Sequence, residues 1–304
     1  MDWSKIKTIF IITFLILNTL LAQEFLSRRE KSQLDHITKQ TVEELLKDSE
    51  ITYNDNIISK EPSNLKEFKA TPKQFKESDV ELLENQQAKL VESDKTRIIS
   101  KLEQPIEIDG KSKLQLTTFF KEFAKKHIYK GEEYVYWKEE KDEKDSRGKI
   151  YLVQTKNGEE IYNNSDAMVV VFYDENRYIT NYTQTMVEMD EDFEEFEGKK
   201  QISAFKALET LVVGNIIKSK STIVSVDSGY YRSFRDKDLQ IIGPVWYFVL
   251  EDKSEFYVHA ISGQHIKVMK NPLDESNSQL SILEKKQDDI LDAEDIVAEK
   301  KRNH

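Results

Sequence analysis

Histidines and carboxylates are the residues from which this chain would have to build chemistry, because it has no cysteine. That absence excludes thiolate metal sites, cysteine nucleophiles and disulfides. Three of the five histidines, His36, His127 and His304, stand without companions in the sequence. His259 and His265 flank a turn between strands, but two ligands at that spacing fall short of a metal set, and histidines satisfied locally are the better reading. Asp190 and Asp192, in the acidic run from Glu188 to Glu197, are spaced as calcium ligands are. No glycine follows at the turn position and the EF-hand loop pattern is missing, so the run reads as a solvated loop. There is no H-E-x-x-H, no G-x-S-x-G, no phosphate loop and no dinucleotide fingerprint. Nine glycines leave little material for cradling phosphates, and the carboxylates are too abundant to single out an acid–base pair. The chemical reading assigns no catalytic, cofactor-binding or metal residues. It points to a binding or regulatory protein, not an enzyme.

One stretch is suited to recognition in a membrane. From Thr8 to Gln23 there is no charge. Extended to Leu26, the run is about 19 residues, roughly 28 Å as a helix, enough to cross a hydrocarbon core. The expectation is a transmembrane helix over 8–26 behind a short N-terminus, 1–7. Lys5 and Lys7 would also suit a signal peptide with a cut after Ala22, but Leu20 fills the place where a small residue is wanted, which favours an uncleaved anchor. Lys5 and Lys7 before the run and Arg28, Arg29 and Lys31 after it leave orientation nearly tied on charge. Ile11, Phe14, Asn18, Leu21 and Phe25 alternate spacings of three and four, so they share one helix face. Asn18 is the amide near mid-membrane. A hydrogen bond from it to a partner helix would be worth about 1 kcal/mol.

These stretches need a scaffold to position them. The net charge of −11 argues against a nucleic-acid partner, and a 33% charged content implies a hydrophilic surface. Residues 27–50 read as a juxtamembrane helix and Val80 to Val91 as a short helix. Lys113 to Ile128 is a helix whose Leu116, Phe119, Phe120 and Phe123 form a core stripe. Strands follow at Glu133–Trp137, Lys149–Thr155 and Met168–Tyr173, with Asn157-Gly158 as a hairpin signal. A long strand runs from Tyr178 to Met189. A second helix covers Ile202 to Lys218, and strands lie at Thr222–Asp227, Val245–Leu250 and Glu255–Ser262. Helix, strand, then hairpin occurs twice. The fold class is therefore α+β, with two helix-on-antiparallel-sheet units at 51–173 and 174–271. Composition predicts a charged, disordered tail over 272–304. Trp246 is expected to bury against the second helix. Tyr230 and Tyr231 are adjacent in a strand and point to opposite faces, which makes them candidates for a contact surface.

The opening Met1-Asp-Trp-Ser-Lys-Ile-Lys-Thr-Ile-Phe-Ile-Ile-Thr-Phe-Leu-Ile-Leu-Asn18 resembles the start of the YycI proteins of low-GC Gram-positive bacteria. Phe172, Tyr178-Ile-Thr-Asn-Tyr-Thr-Gln184, Gly229-Tyr-Tyr231, Pro244-Val-Trp246 and Tyr257-Val-His-Ala-Ile-Ser-Gly263 are similar to that family and its relative YycH. The resemblance spans roughly Met1 to Lys270. The last motif also resembles PepSY modules, whose strand reads Val-Asp/Asn-Ala-x-Thr-Gly; here a histidine, His259, stands at the polar place. The resemblance implies a YycH/PepSY-like ectodomain, a cytoplasmic N-terminus and an extracellular C-terminal part. It implies a single-pass protein of the cell membrane, partnered with YycH and with the sensor kinase WalK (YycG), and no enzymatic activity. A PepSY-like binder or inhibitor of a wall-associated peptidase or ligand is the alternative.

Overall fold

The computed structural model describes residues 3, 7, 10–15, 17–19, 21, 42–91, 95–141, 146–190 and 200–268. The chain divides into two units, Met1–Ser49 and Glu50–His304. In the first, the described residues at 10–15 and 17–19 are helical and exposed, and Thr19 Oγ1 donates back to the Leu15 carbonyl at 2.8 Å. Helix α1, Val42–Asp48, carries Glu43 and Glu44 in its first turn and Lys47 in its last, the arrangement that opposes the helix dipole. Among the described residues no helix is long and apolar enough to cross a membrane. The segment expected to do so includes residues outside that set, as do much of 27–50 and all of 272–304.

The second unit is a mixed α+β structure dominated by one large sheet. Its strands are β1 (Thr52–Tyr53), β2 (Phe68–Pro72), β3 (Gln86–Leu90), β4 (Arg97–Glu107), β5 (Tyr134–Lys141), β6 (Gly148–Lys156), β7 (Glu159–Tyr162), β8 (Met168–Tyr173), β9 (Tyr178–Thr185), β10 (Val187–Asp190), β11 (Thr222–Asp236), β12 (Leu239–Leu250), β13 (Glu255–His259) and β14 (His265–Ile266). The helices are α2 (Glu77–Glu81), α3 (Lys113–His127) and α4 (Ala204–Val213). The path through the sheet is β10-β2-β12-β11-β7-β6-β8-β9-β4-β3, with β5 on β6 and with β13 on β12 and β14. The Asn157-Gly158 turn, both residues at positive φ, folds β7 back on β6, antiparallel at Glu159 and Glu160, and β7 then pairs in parallel with β11 at Tyr230 and Tyr231. This hairpin joins the two halves of the sheet.

The halves are stacked. Ile150, Leu152, Val169 and Val171 face α3 through Leu116, Phe120, Phe123 and Ala124. Their neighbours Tyr151, Val153, Val170 and Phe172 face the other way, onto Val245, Tyr247 and Tyr257. Burial on both faces explains why Met168–Phe172 is continuously apolar where a half-buried strand would alternate. The far side of β12 carries Trp246, whose Nε1 donates to the Ile202 carbonyl at 2.9 Å, just ahead of α4. The layers run α3, sheet, sheet, α4.

Local chemistry sets the ends of the helices. At α3, Ser112 Oγ accepts from Gln115 N while Gln115 Oε1 accepts from Ser112 N, a closed capping box. Ser203 caps α4 through Lys206 N. This helix is shorter than expected over Ile202–Lys218: Gly214 follows Val213, Asn215 is left-handed at φ 51°, and the Leu211 carbonyl takes Ile216 N. A glycine and a left-handed asparagine there are a helix stop.

The expected helix over Val80–Val91 is corrected. Helix α2 ends at Glu81, Asn85 turns the chain at φ 59°, and Gln86, Ala88 and Leu90 face inward along β3 while Gln87 and Lys89 face out. Of the leucines there only Leu90 lies in β3, and the inward positions alternate as Gln86, Ala88 and Leu90, a period of two that begins on a polar residue. The strand expected over Tyr178–Met189 breaks at Met186, where the chain passes from one half of the sheet to the other. The strands of 51–173 and 174–271 are thus interleaved. Strand β9 lies between β8 and β4, while β1 and β2 pair with β11 and β12.

Candidate interaction surfaces

The helix-face residues Ile11, Phe14, Asn18 and Leu21 are all helical and exposed in the structure; Phe25 lies outside the described residues. Of the tyrosine pair, one is buried and the other partly buried. Tyr230 is buried edge-on against Phe68, ring centroids 5.0 Å apart, and Tyr231 is half-buried 5.3 Å from Tyr257. They take opposite faces, Tyr230 packed on Phe68 and Tyr231 on Tyr257. Tyr231 enters the layer between the sheets, where Tyr162 and Tyr257 lie 4.5 and 4.9 Å from Tyr247. Trp137 Nε1 donates to Tyr247 Oη at 3.3 Å, and Lys138 Nζ binds both Glu255 oxygens at 3.1 Å. Burial, more than any charge, pushes the phenols of Tyr162, Tyr247 and Tyr257 well above their ordinary value. They are neutral packing groups and not acid–base candidates.

The sequence reading missed a different surface. Strand β11 was expected to stop at Asp227, but it runs on to Asp236 and returns as β12 through a turn with Lys237 at φ 51°. Phe234 pairs with Ile241 and Asp236 with Leu239 across this ribbon, so the four side chains share one face. Phe234 and Leu239 remain 55% and 39% exposed. The opposite face holds polar groups. Asp166 Oδ2 accepts from Arg235 Nη1 at 2.8 Å, Gln240 Nε2 at 2.6 Å and Arg232 Nη1 at 3.3 Å. Asn164, fully buried, donates to Gln240 Oε1 at 2.9 Å. Burial lowers the Arg232 pKa against the pull of Asp166, and Arg235 adds to the lowering. An exposed phenylalanine beside anchored arginines has the composition of a contact hot spot. The signal available in the sequence was the Asp236-Lys-Asp238 turn between two β-rich runs.

His259 and His265 do not form a site together. His265 lies tilted beside Phe256, ring centroids 6.2 Å apart, and burial lowers its pKa. The His259 Nδ1 accepts from Ser262 N at 3.1 Å, and its Nε2 lies 3.9 Å from Glu67 Oε1. Among the described residues no group of three or more histidines and carboxylates is placed to hold a metal ion.

The described part is a mixed α+β structure built mostly on one large sheet, with an apolar ribbon end left exposed at Phe234 and Leu239. Comparison with known families places it more closely: the family model described as YycI protein matches residues 30–261. The chain belongs to the YycI family. Membership implies a regulatory accessory protein associated with the YycG (WalK) kinase system. No curated protein matches the chain. An uncharacterized protein from Eubacterium rectale, known from its crystal structure, is similar at 10% identity over 67% of this chain and 86% of that one, with a TM-score of 0.42.

Proposed function

We propose that this chain is a single-pass membrane protein with a cytoplasmic N-terminus and an extracellular C-terminal part. In this reading it modulates the cell-wall sensor kinase WalK (YycG) by protein–protein contact with the kinase and a YycH-like partner. The observation that carries the reading is the family match over 30–261. The uncharged run from Thr8 to Gln23 lies just ahead of the matched region and supports an anchor there. The exposed apolar side chains at Phe10, Ile11, Phe14, Leu15, Leu17 and Leu21 support a segment that needs a non-aqueous or helical partner.

Two measurements test it. Protease added to intact protoplasts should digest the region after Arg28. Full protection of that region, or release of a soluble form beginning near Gln23, overturns the topology. Crosslinking in membranes followed by purification should bring the kinase and the YycH-like protein along with this chain. Recovery of neither overturns the partnership.

A further inference from the structure

Asn157 and Gly158 are the two residues of the turn between β6 and β7, at φ 55° and 87°, the mirror-image turn that this residue pair favours. They form the one Asn-Gly pair in the chain, and both are exposed. Among the described residues, neither the Asn157 side chain nor the Gly158 N–H has a hydrogen-bond partner. The space where a side chain at Gly158 would stand is open, with nothing within 4 Å. A side-chain amide carbon and an unshielded backbone nitrogen therefore lie next to each other, unbonded and in water. Glycine is the residue that puts no side chain in the way of their reaction.

Little holds this turn shut, although the packing beyond it is close. Strands β6 and β7 pair at Thr155 with Glu160 and at Lys156 with Glu159, after which β7 leaves for β11. A hairpin end held by two residue pairs opens readily. Burial raises the pKa of Glu160, and the charges of Asp227 and Glu159 add to the rise, so the joint already carries like charges. Further along, a side chain at Gly229 of β11 would place its Cβ 2.8 Å from the Glu160 carbonyl oxygen and 2.5 Å from the Tyr162 ring. Tyr162 in turn lies 4.5 Å from Tyr247 in the layer between the sheets.

We propose that Asn157 is a self-modification site, converted in the folded protein to aspartate and isoaspartate by attack of the Gly158 nitrogen, and that the isoaspartyl product loosens the joint between the halves of the sheet. The Gly158 nitrogen gives up its proton and bonds to Asn157 Cγ. The Cγ–Nδ2 bond breaks, and the side-chain nitrogen leaves with that proton as ammonia. Water then opens the cyclic imide. Cleavage at Cγ leaves an aspartate. Cleavage at the main-chain carbonyl carbon leaves an isoaspartate, whose backbone runs through Cβ and Cγ and is one atom longer. Water is the only co-reactant. Either product adds a negative charge beside Glu159 and Glu160. Only the isoaspartate lengthens the turn that sets the register of β7, and β7 has no slack at Gly229. The inference stands on this turn and draws nothing from the partner reading above.

The test is incubation of the full-length protein in detergent, in warm neutral buffer, followed by digestion and mass spectrometry. Over days the peptide carrying Asn157 should gain the one mass unit that separates an acid from its amide, and electron-transfer fragmentation should find isoaspartate in it. The folded protein should react no more than about ten-fold slower than the same chain unfolded in urea, since only two strand pairs must open. Asn215 is the internal control. It is left-handed at φ 51° and exposed, but Ile216 shields its own nitrogen and donates its N–H to the Leu211 carbonyl at 2.9 Å. It should stay unmodified. Isoaspartyl molecules, separated by chromatography, should unfold at a lower urea concentration than unreacted ones. Freshly purified Asn157→Asp carries the charge without the longer backbone and should lose less stability. A slower folded reaction, or equal modification of Asn215, overturns the site. An isoaspartyl product as stable as the unreacted protein or as Asn157→Asp overturns its effect on the joint.

Discussion

Buried glutamines stand in for backbone where the sheet changes direction. Gln154 is fully buried; its Oε1 accepts from Val187 N at 2.9 Å and its Nε2 donates to the Val187 carbonyl at 3.0 Å. Gln184 treats Tyr129 the same way, at 3.2 and 2.7 Å. Each amide replaces a strand pair where the ladder has run out. Gln154→Leu should therefore cost about 2–6 kcal/mol in urea unfolding, since two buried backbone groups lose their partners at about 1–3 kcal/mol each. A loss under about 0.5 kcal/mol would mean that water replaces the amide. His127 gives a pH dependence. Its ring is buried, Nδ1 has no hydrogen-bond partner, and burial together with Lys126 lowers its pKa. The unfolded chain then binds the proton first. This stability is fully present above the unfolded value of about 6.5 and is lost as pH falls through the lower folded value. His127→Phe should flatten the slope of stability against pH below about 6.5 by up to about 1.4 kcal/mol per unit. Parallel curves for variant and wild type would remove His127 from the account. None of these roles was legible in sequence, where a glutamine or a lone histidine carries no sign of its partner.

Elements were legible where one period dominated. The Leu116–Phe123 stripe and the Ser112/Gln115 box set α3 in place, and Asn157-Gly158 gave the β6–β7 turn. Trp246 went where expected, against the start of α4. Misreadings arose where polar residues hid a strand, as in β3, whose inward positions are Gln86, Ala88 and Leu90. The end of the β11–β12 ribbon is such a place: Arg232 to Asp238 looks like a solvated loop until its cross-strand pairs are known. At the end of β13, His259 Nδ1 accepts from Ser262 N, a role its place in the sequence did not disclose. Because Phe234 is exposed, Phe234→Ala should change stability by less than about 0.5 kcal/mol. Phe248→Ala, at a fully buried site of the same ribbon, should cost about 3–5 kcal/mol. If the ribbon end is a contact surface, Phe234→Ala should also weaken crosslinking to the partner proteins by about ten-fold or more, a hot-spot loss. Stable folding with undiminished crosslinking would remove the ribbon end from the interface.

At the scale of the molecule, interleaved strands make the region from Glu50 a single cooperative body, because neither half of the sheet is complete without strands from the other. The sequence showed two similar patterns but not this exchange, since pairing between β2 and β12 or β9 and β4 leaves no local trace. The N-terminal segment offers the opposite case, a function argued from one face of one helix. A passive anchor needs only apolar length, and a polar residue at mid-helix carries an insertion cost. Asn18 is helical and exposed in line with Ile11, Phe14 and Leu21, where a register-setting hydrogen bond to a second helix would use it. Asn18→Leu should then preserve membrane insertion while weakening co-purification with the kinase. An amide worth about 1 kcal/mol corresponds to roughly a five-fold loss. Placing asparagine at position 16 in that background, Asn18→Leu/Ile16→Asn, restores the polarity but puts it off the shared face, so it should not rescue association. The measurement is kinase recovery and a reporter of its pathway in wild type, Asn18→Leu and the double change. Unchanged association and output in all three would reduce the helix to a tether and move the contact to the folded region beyond Glu50.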